Sequence, residues 1–411
     1  MSAAPPKYIF ENGVMKMNPA FNAQAGRPAP PAIIHQPLAV VTCLADAQSY
    51  AGTAEQEFYM APSATAAIEE MQSPAYQAYF EVSEGKLFDE LSTYFAQYEV
   101  PMGLLSKLLL LRKYRINIMV DDSGSMMSST DVTFAEATNY LRGEHDPRSN
   151  LTRIQEAENR LHIMFDMLSY IPTKGITMTF MTTPKVLTFE QAGKSPQQFQ
   201  AEAHATISDT FANLKMGVTP TKKILQDSLR DAAAHSEHPT SHYLLTDGVP
   251  SDVSVSELAR IINKRENPER NPLTLISCTN VDSECEWMKE VEEKAAFCSE
   301  VDDYGDESRE VKKDQGDAFP YTKGLWLLSN LVGAISPDDL DALDENVPLT
   351  KFTLDELMGR VHSSAEYDYY FAHNKHGRKY LHLKGRFATE QVHASAIVPK
   401  NKRGKGGCIM M

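Results

Sequence analysis

Three oxygen-bearing side chains at alternate positions, Asp121, Ser123 and Ser125, surround Gly124 in the stretch R-I-N-I-M-V-D-D-S-G-S-M, residues 115–126. One carboxylate and two hydroxyls, drawn to a common point by a tight turn at glycine, suit a hard divalent cation. Mg²⁺ takes oxygen donors in octahedral geometry and keeps several waters, so a site with few protein charges leaves a coordination position exchangeable. The element that must hold this set is the run before it. Ile116, Ile118 and Val120 alternate with Asn117 and Met119, which predicts a short buried strand ending at Asp121.

Two later stretches stand in order behind it: G-V-T-P-T at 217–221 and L-L-T-D-G at 244–248. Together with the D-x-S-x-S of Asp121, Ser123 and Ser125 they resemble the von Willebrand factor type A (VWA) domain. The resemblance implies a metal-ion-dependent adhesion site. Carried over by motif, Ser123, Ser125 and Thr219 would be ligands of Mg²⁺ or Mn²⁺, while Asp121 and Asp247 would bind directly or through water. In the family's mode, an Asp or Glu of a protein partner fills the open position.

The rest of the chain reads as a scaffold for these loops. Ile154, Ala157, Leu161, Met164, Phe165, Leu168 and Ile171 recur at helical spacing and stop at Pro172. Strands are expected at 175–181, 242–246 and 273–277, with an edge strand at 186–188. Helices are expected at 199–214, 221–234, 255–264, 284–296 and 323–335. This alternation predicts an α/β fold, a doubly wound, mostly parallel, Rossmann-like sheet with helices on both faces. In such a sheet the crevice lies beyond the carboxyl ends of strands where their order reverses. Placing the strands before Asp121 and Asp247 side by side there brings both carboxylates together, with Thr219 entering from a loop. No G-x-G-x-x-G follows a strand, so nothing supports a dinucleotide site.

Five segments are expected. Residues 1–80 are rich in Ala, Pro and Gln without useful periodicity and read as a poorly ordered extension, in which 38–44 could add one strand. A helical lead-in at 81–112 contains runs at 85–98 and 102–111 separated by Pro101. The VWA-like domain spans 113–345. Within it, 131–150 reads as a loop or short helix. The acidic run at 300–310, E-V-D-D-Y-G-D-E-S-R-E, reads as a solvated connection; counted from Asp302, the tight-turn glycine of a calcium loop falls at Glu307. It also resembles the D-D-Y-x-x-E of some intracellular type A domains. A small β/α extension at 346–395 holds a helix at 352–361 and a basic β-hairpin within 367–387, with Gly377 in its turn. His373, His376 and His382 lie there as part of a basic surface, without the spacing of a zinc site. Residues 396–411 form a flexible polybasic tail.

The chain of 411 residues has a formal net charge of -15, yet from residue 373 onward Lys375, Arg378, Lys379, Lys384, Arg386, Lys400, Lys402, Arg403 and Lys405 stand against Glu390 alone. An acidic body argues against nucleic-acid binding, and a basic end invites an anionic surface. No stretch approaches the ~20 apolar residues of a bilayer span, and the first residues lack the pattern of a secretory signal. The five cysteines, Cys43, Cys278, Cys285, Cys298 and Cys408, show no C-x-x-C pair and read as reduced thiols. The final C-I-M-M resembles the prenylated tails of small GTPases, which implies a farnesyl lipid on Cys408. One lipid chain plus a polybasic segment makes a two-part membrane anchor.

The expectation is therefore a non-enzymatic, metal-dependent protein-binding module at the cytosolic face of a eukaryotic cell membrane. Two alternatives stand beside it. One is an adaptor subunit of an ATP-driven machine, the chain itself having no P-loop. The other is a metal-dependent hydrolase using Asp121 and Asp247, for which no G-x-S-x-G or H-E-x-x-H accompanies the ion.

Overall fold

The computed structural model describes residues 8–11, 14–17, 95, 107–137, 140–279, 281–317, 319–340 and 343–399. Most of the amino-terminal extension, most of the helical lead-in and residues 400–411 of the carboxyl-terminal tail, with Cys408, lie outside the described residues; 396–397, expected in a flexible tail, belong to a short helix. Near the start, β1 (Tyr8–Glu11) and β2 (Val14–Met17) pair antiparallel, Glu11 opposite Val14. A 3-10 helix, Leu109–Lys113, then leads into β3 (Arg115–Val120).

Further strands follow in order: β4 (Ser129–Thr133), β5 (Asn150–Thr152), β6 (Ile176–Phe180), β7 (Val186–Phe189), β8 (Thr240–Thr246), β9 (Leu273–Ser277) and β10 (Cys298–Val301). The central sheet has the order β10-β9-β8-β3-β6-β7. Its pairs are parallel except for β7, which runs antiparallel to β6 at the edge. This is the expected doubly wound α/β sheet. From β3 the chain steps outward to β6, then returns to the other side of β3 as β8, so the strand order reverses between β3 and β8. Asp121 and Asp247 follow those two strands directly.

Every residue of β8 and β9 is buried, as strands covered on both faces must be. Alternate side chains go to opposite layers. Met119, Leu244 and Leu275 pack with α3 (Thr221–Ala234), α4 (Val255–Asn263) and α5 (Asp282–Glu292) through Leu225, Leu258, Ile262 and Met288. Ile118, Val120, Tyr243 and Leu245 share the other core with α1 (Arg153–Leu168), α2 (Pro196–Phe211) and α7 (Lys323–Val332), through residues such as Leu161, Phe165, Ile207, Leu325 and Leu328. Both α1 and α2 open with a capping box, Thr152 with Gln155 and Ser195 with Gln198. Among the described residues no helix is long and apolar enough to cross a membrane.

Three expectations are corrected. The described residues of 134–149 form turns and loop as expected, but the ends of 131–150 belong to an antiparallel pair, β4 with β5, fastened where Asn150 donates to the Thr130 carbonyl at 2.7 Å. The acidic run at 300–310 is not a solvated connection. It finishes β10 and starts α6 (Tyr304–Gln315), because the Asp303 side chain caps the N–H groups of Gly305 and Asp306. The basic hairpin within 367–387 is absent. After a single turn α8 (Pro337–Leu340) and α9 (Lys351–Met358), the chain forms α10 (Ser364–His373), α11 (Lys384–Thr389) and α12 (Ala394–Ile397). The Ser363–Glu366 capping box starts α10, and Tyr367 and Phe371, one turn apart, bury the same face. The described part of the carboxyl-terminal extension is thus helical, not β/α.

Candidate metal centre

Beyond Val120, consecutive carboxylates take different tasks. Asp121 turns inward: one oxygen accepts the Ser123 N–H at 2.9 Å and the other the Thr246 hydroxyl at 2.6 Å. Asp122 fastens the loop after β6, its two oxygens accepting the N–H groups of Thr182 at 2.7 Å and Thr183 at 2.8 Å. The next oxygens form a row. Ser123 Oγ lies 2.9 Å from Ser125 Oγ, which donates to Asp247 Oδ1 at 2.9 Å. Since the single hydroxyl proton of Ser125 goes to Asp247, Ser123 is the donor in the first of these contacts.

Asp247 is held from behind. Its second oxygen accepts from Arg153 Nη1 at 2.8 Å, and Arg153 Nη2 pairs with Glu284 at 2.9 Å. Glu284 in turn accepts from the Thr279 hydroxyl at 2.7 Å. Arg153, Asp121, Ser123 and Asp247 are buried, whereas Ser125 is exposed, so the row opens to solvent at Ser125. Burial pushes the Asp121 carboxyl up to about 6, against the hydrogen bonds from Thr246 and Ser123 that lower it.

The loop of Thr219 reaches the same place through its backbone. Ser123 and Gly217 form a parallel bridge, with Gly124 N–H donating to the Gly217 carbonyl at 3.0 Å. A Cβ at Gly217 would stand 2.5 Å from Thr182 Cγ2, so glycine is required there by close approach. Thr219 is buried, and its carbonyl accepts the N–H of Ser251 at 2.8 Å, tying it to the loop after Asp247. The five side chains expected from sequence therefore stand on three loops bonded to one another. Ser123, Ser125 and Asp247 touch through side-chain oxygens, Asp121 joins through the Ser123 N–H, and Thr219 is tied through its carbonyl to Ser251 in the loop after Asp247.

The donor set fits a hard cation. Two hydroxyls and a carboxylate follow one another at 2.9 Å, a spacing common to hydrogen-bonded oxygens and to adjacent vertices of an octahedral Mg²⁺ site, and all are oxygen donors. Sequence reasoning missed Asp122, Arg153, Thr246 and Glu284. The adjacent carboxylate in D-D-S was a signal for Asp122; Arg153 had none, because its partner Asp247 lies 94 residues away.

Other candidate clusters are engaged elsewhere. Oxygens of Asp302, Asp303 and Asp306 lie within 4.8 Å of one another, but Asp302 pairs with Lys289, Asp303 caps α6 and Asp306 pairs with Arg309. His376 contacts Asp314, His373 contacts the Tyr369 carbonyl, and His382 is exposed. Cys278, Cys285 and Cys298 are buried.

No protein-family model matches the chain, and no curated protein matches it. Solved structures similar to it include a variant of the PilB minor pilin from Streptococcus sanguinis, at 15% identity over 53% of this chain and 63% of that one, TM-score 0.33. The manganese-loaded TRAP protein of Plasmodium vivax is similar at 15% identity over 46% of this chain and 69% of that one, TM-score 0.31. A von Willebrand factor type A protein from Catenulispora acidiphila is similar at 14% identity over 55% of this chain and 43% of that one, TM-score 0.33. The chain spans less than two thirds of the length of the PilB structures, 63% and 57%. Von Willebrand factor type A domains are thus among the solved structures this chain is similar to.

Proposed function

We propose that this chain is a metal-dependent protein-binding module in which Asp121, Ser123, Ser125, Thr219 and Asp247 hold Mg²⁺ or Mn²⁺. An Asp or Glu of a partner protein takes the exchangeable position, and the role is binding without turnover. One observation carries the reading: the oxygen row Ser123–Ser125–Asp247 advances in 2.9 Å steps and opens to solvent at Ser125. A bound divalent ion would supply concentrated positive charge with a replaceable water. The chain's own residues prepare for it. Arg153 holds one oxygen of Asp247 so that the other faces Ser125, and Thr246 with the Ser123 N–H fixes the Asp121 carboxylate.

Water-proton relaxation with Mn²⁺ tests the ion directly. Asp121→Ala and Thr219→Ala are expected to abolish Mn²⁺ binding and partner capture while the folded circular-dichroism spectrum persists. Capture unchanged in both variants or in chelator would remove the site from the binding surface.

The second half of the proposal is a tether. In it, Cys408 of the C-I-M-M stretch carries a farnesyl lipid, and Lys400, Lys402, Arg403 and Lys405 hold the module to an anionic cytosolic membrane surface. Intact-mass measurement on protein from eukaryotic cells is expected to show the lipid, and Cys408→Ser to release the protein to the soluble fraction. An unmodified wild-type mass would end this half alone.

A further inference from the structure

Between α10 and α11 the chain winds tightly and turns a cationic stripe outward. Gly377, Tyr380 and Leu383 each donate a backbone N–H to the carbonyl three residues back, at 3.0, 3.2 and 2.8 Å, so side chains three apart line up along 374–383. One stripe faces inward. Asn374, Gly377 and Tyr380 are buried, and a Cβ at Gly377 would collide with the Phe371 carbonyl oxygen, so the turn lies pressed on the end of α10. The next stripe, Lys375, Arg378 and Leu381, is exposed throughout, and Lys379 and His382 are exposed beside it. Leu381 is 64% exposed; Tyr369, 61% exposed, stacks on His373 at 3.9 Å at the end of α10. A firmly held turn thus presents Lys375, Arg378 and Lys379 around a bare leucine.

Charge sets this turn apart from the rest of the protein. Residues 373–389 contain five Lys and Arg and no Asp or Glu, on a chain whose net charge is -15. Acidic groups do face it: Lys384 pairs with Asp368 at 2.6 Å, Arg386 with Glu390 at 2.9 Å, and Lys375 stands 3.9 Å from Asp314. The last turn of α6, which meets this one where Asp314 contacts His376 at 3.0 Å, brings Lys312 and Lys313 and, just past them, the exposed Asp317. An anionic surface therefore attracts this side and repels the acidic remainder. Cations alone would only complement the carboxyl end of α10, and nucleic acid or an acidic peptide would answer them without using Leu381. A bilayer with anionic lipid answers both, offering charge at the headgroups and hydrocarbon just beneath. The chain also runs on from here, since α12 packs on α11, whose Phe387 meets Tyr380, and Lys400, Lys402, Arg403 and Lys405 follow. We infer that residues 375–382 seat this end of the protein on an anionic bilayer, Lys375, Arg378 and Lys379 against the headgroups and Leu381 in the acyl boundary below. The inference rests on the tether reading for the membrane it meets, and adds a folded face that fixes how the protein lies there.

The test uses the full chain made in bacteria, hence without a prenyl group, and vesicles of phosphatidylcholine alone or with about 30% phosphatidylserine. The protein is expected to sediment with the anionic vesicles and not with the neutral ones. Arg378→Gln combined with Lys379→Gln should weaken that partition about thirty-fold. Leu381→Ser, which leaves the charge unchanged, should weaken it about ten-fold. All three side chains are exposed, so the variants should melt with the wild type. Leu381→Trp reads the insertion directly: Trp287 and Trp326 are buried, so emission from position 381 should shift to the blue on anionic vesicles only. Replacing Lys400, Lys402, Arg403 and Lys405 by Gln should weaken binding yet keep its dependence on Leu381. No sedimentation of the wild type, a loss confined to the tail variant, Leu381→Ser partitioning as the wild type does, or an unshifted emission each overturns the seat. Poly(U) RNA bound more tightly than the vesicles, with no response to Leu381→Ser, would assign the cations to nucleic acid and overturn it as well. Cys408 carries no lipid in this protein, so a missing farnesyl in eukaryotic cells would end the tether without altering these outcomes.

Discussion

Gly217 owes its place to an atom it lacks. A methyl group there would press on Thr182 Cγ2 at 2.5 Å, and the same residue pairs with Ser123 and accepts from Gly124. Gly217→Ala is expected to cost about 1–3 kcal/mol of stability by overpacking and to weaken Mn²⁺ binding by moving Thr219. Thr182→Ala in that background should recover part of both, read by urea denaturation and relaxation titration; no recovery would place the strain elsewhere. Arg153 makes the opposite case, a residue needed for what it adds. Its side chain is 6% exposed and that of Asp247 0%, so Arg153→Met strands a buried carboxylate and should cost about 3–5 kcal/mol. Because a bound cation replaces the missing charge, Mn²⁺ should restore more stability to the variant than it adds to the wild type. Equal gains in the two proteins would refute that coupling. Asp121, Ser123 and Ser125 were legible because three ligand types fall within five residues, while Arg153 becomes visible only when α1 folds against the end of β8.

Strands and helices were legible where one face or one period dominated. β3, β8, β9 and α3 stand close to where periodicity predicts them, because their side chains meet a sheet or layer that rewards the pattern. The signal for β1 and β2 was an N-G pair, Asn12-Gly13, between short β-prone runs. In the region of α10 and α11, closely spaced aromatic and basic residues imitated a hairpin; the capping box at Ser363 and the Tyr367–Phe371 spacing were the better evidence. β8 also carries a buried titratable group. His242 accepts from the Ser228 hydroxyl at 2.8 Å and donates to Asn271 at 3.4 Å, the pattern of a neutral imidazole. Burial pushes its pKa down to about 4, with nearby Arg265 and Arg115 lowering it and Asn271 and Asp231 raising it. As pH falls through the ordinary value of 6.5, the unfolded chain takes a proton that the folded one refuses, so stability drops until pH 4, where the folded imidazole protonates too. The loss should reach about 3 kcal/mol over that window. His242→Gln should flatten it, measured as the difference between the two proteins' urea midpoints at pH 7 and pH 4.5. Parallel pH profiles would show that the histidine is not responsible.

The carboxyl-terminal helices share a core with the sheet. Leu349, Leu357, Tyr367, Phe371 and Phe387 are buried in the same cluster as Ile118, Tyr243 and Leu325. Polar groups join the two parts as well. Gln315, at the end of α6, accepts from Tyr370 at 2.6 Å and Asn374 at 2.9 Å, and Asp314 beside it pairs with His376 at 3.0 Å. Sequence patterns mark 346 as a boundary because the acidic P-D-D-L-D-A-L-D-E run precedes it; they carry no record of which apolar surfaces meet across that run. Fully burying one large apolar side chain is worth about 1.5–3 kcal/mol, and a whole domain has only about 5–15 kcal/mol in reserve. Ending the chain after residue 345 removes several such side chains and both partners of the buried Gln315 amide oxygen. The truncated protein is expected to be insoluble or to melt at least about 10 °C lower than the intact chain, whereas removing 400–411 should leave the melting temperature within about 2 °C. Calorimetry distinguishes the cases: an unchanged midpoint after residue 345 would mean that the metal centre's scaffold stands alone, and two separate transitions in the intact chain would mean that the shared core does not unfold as one.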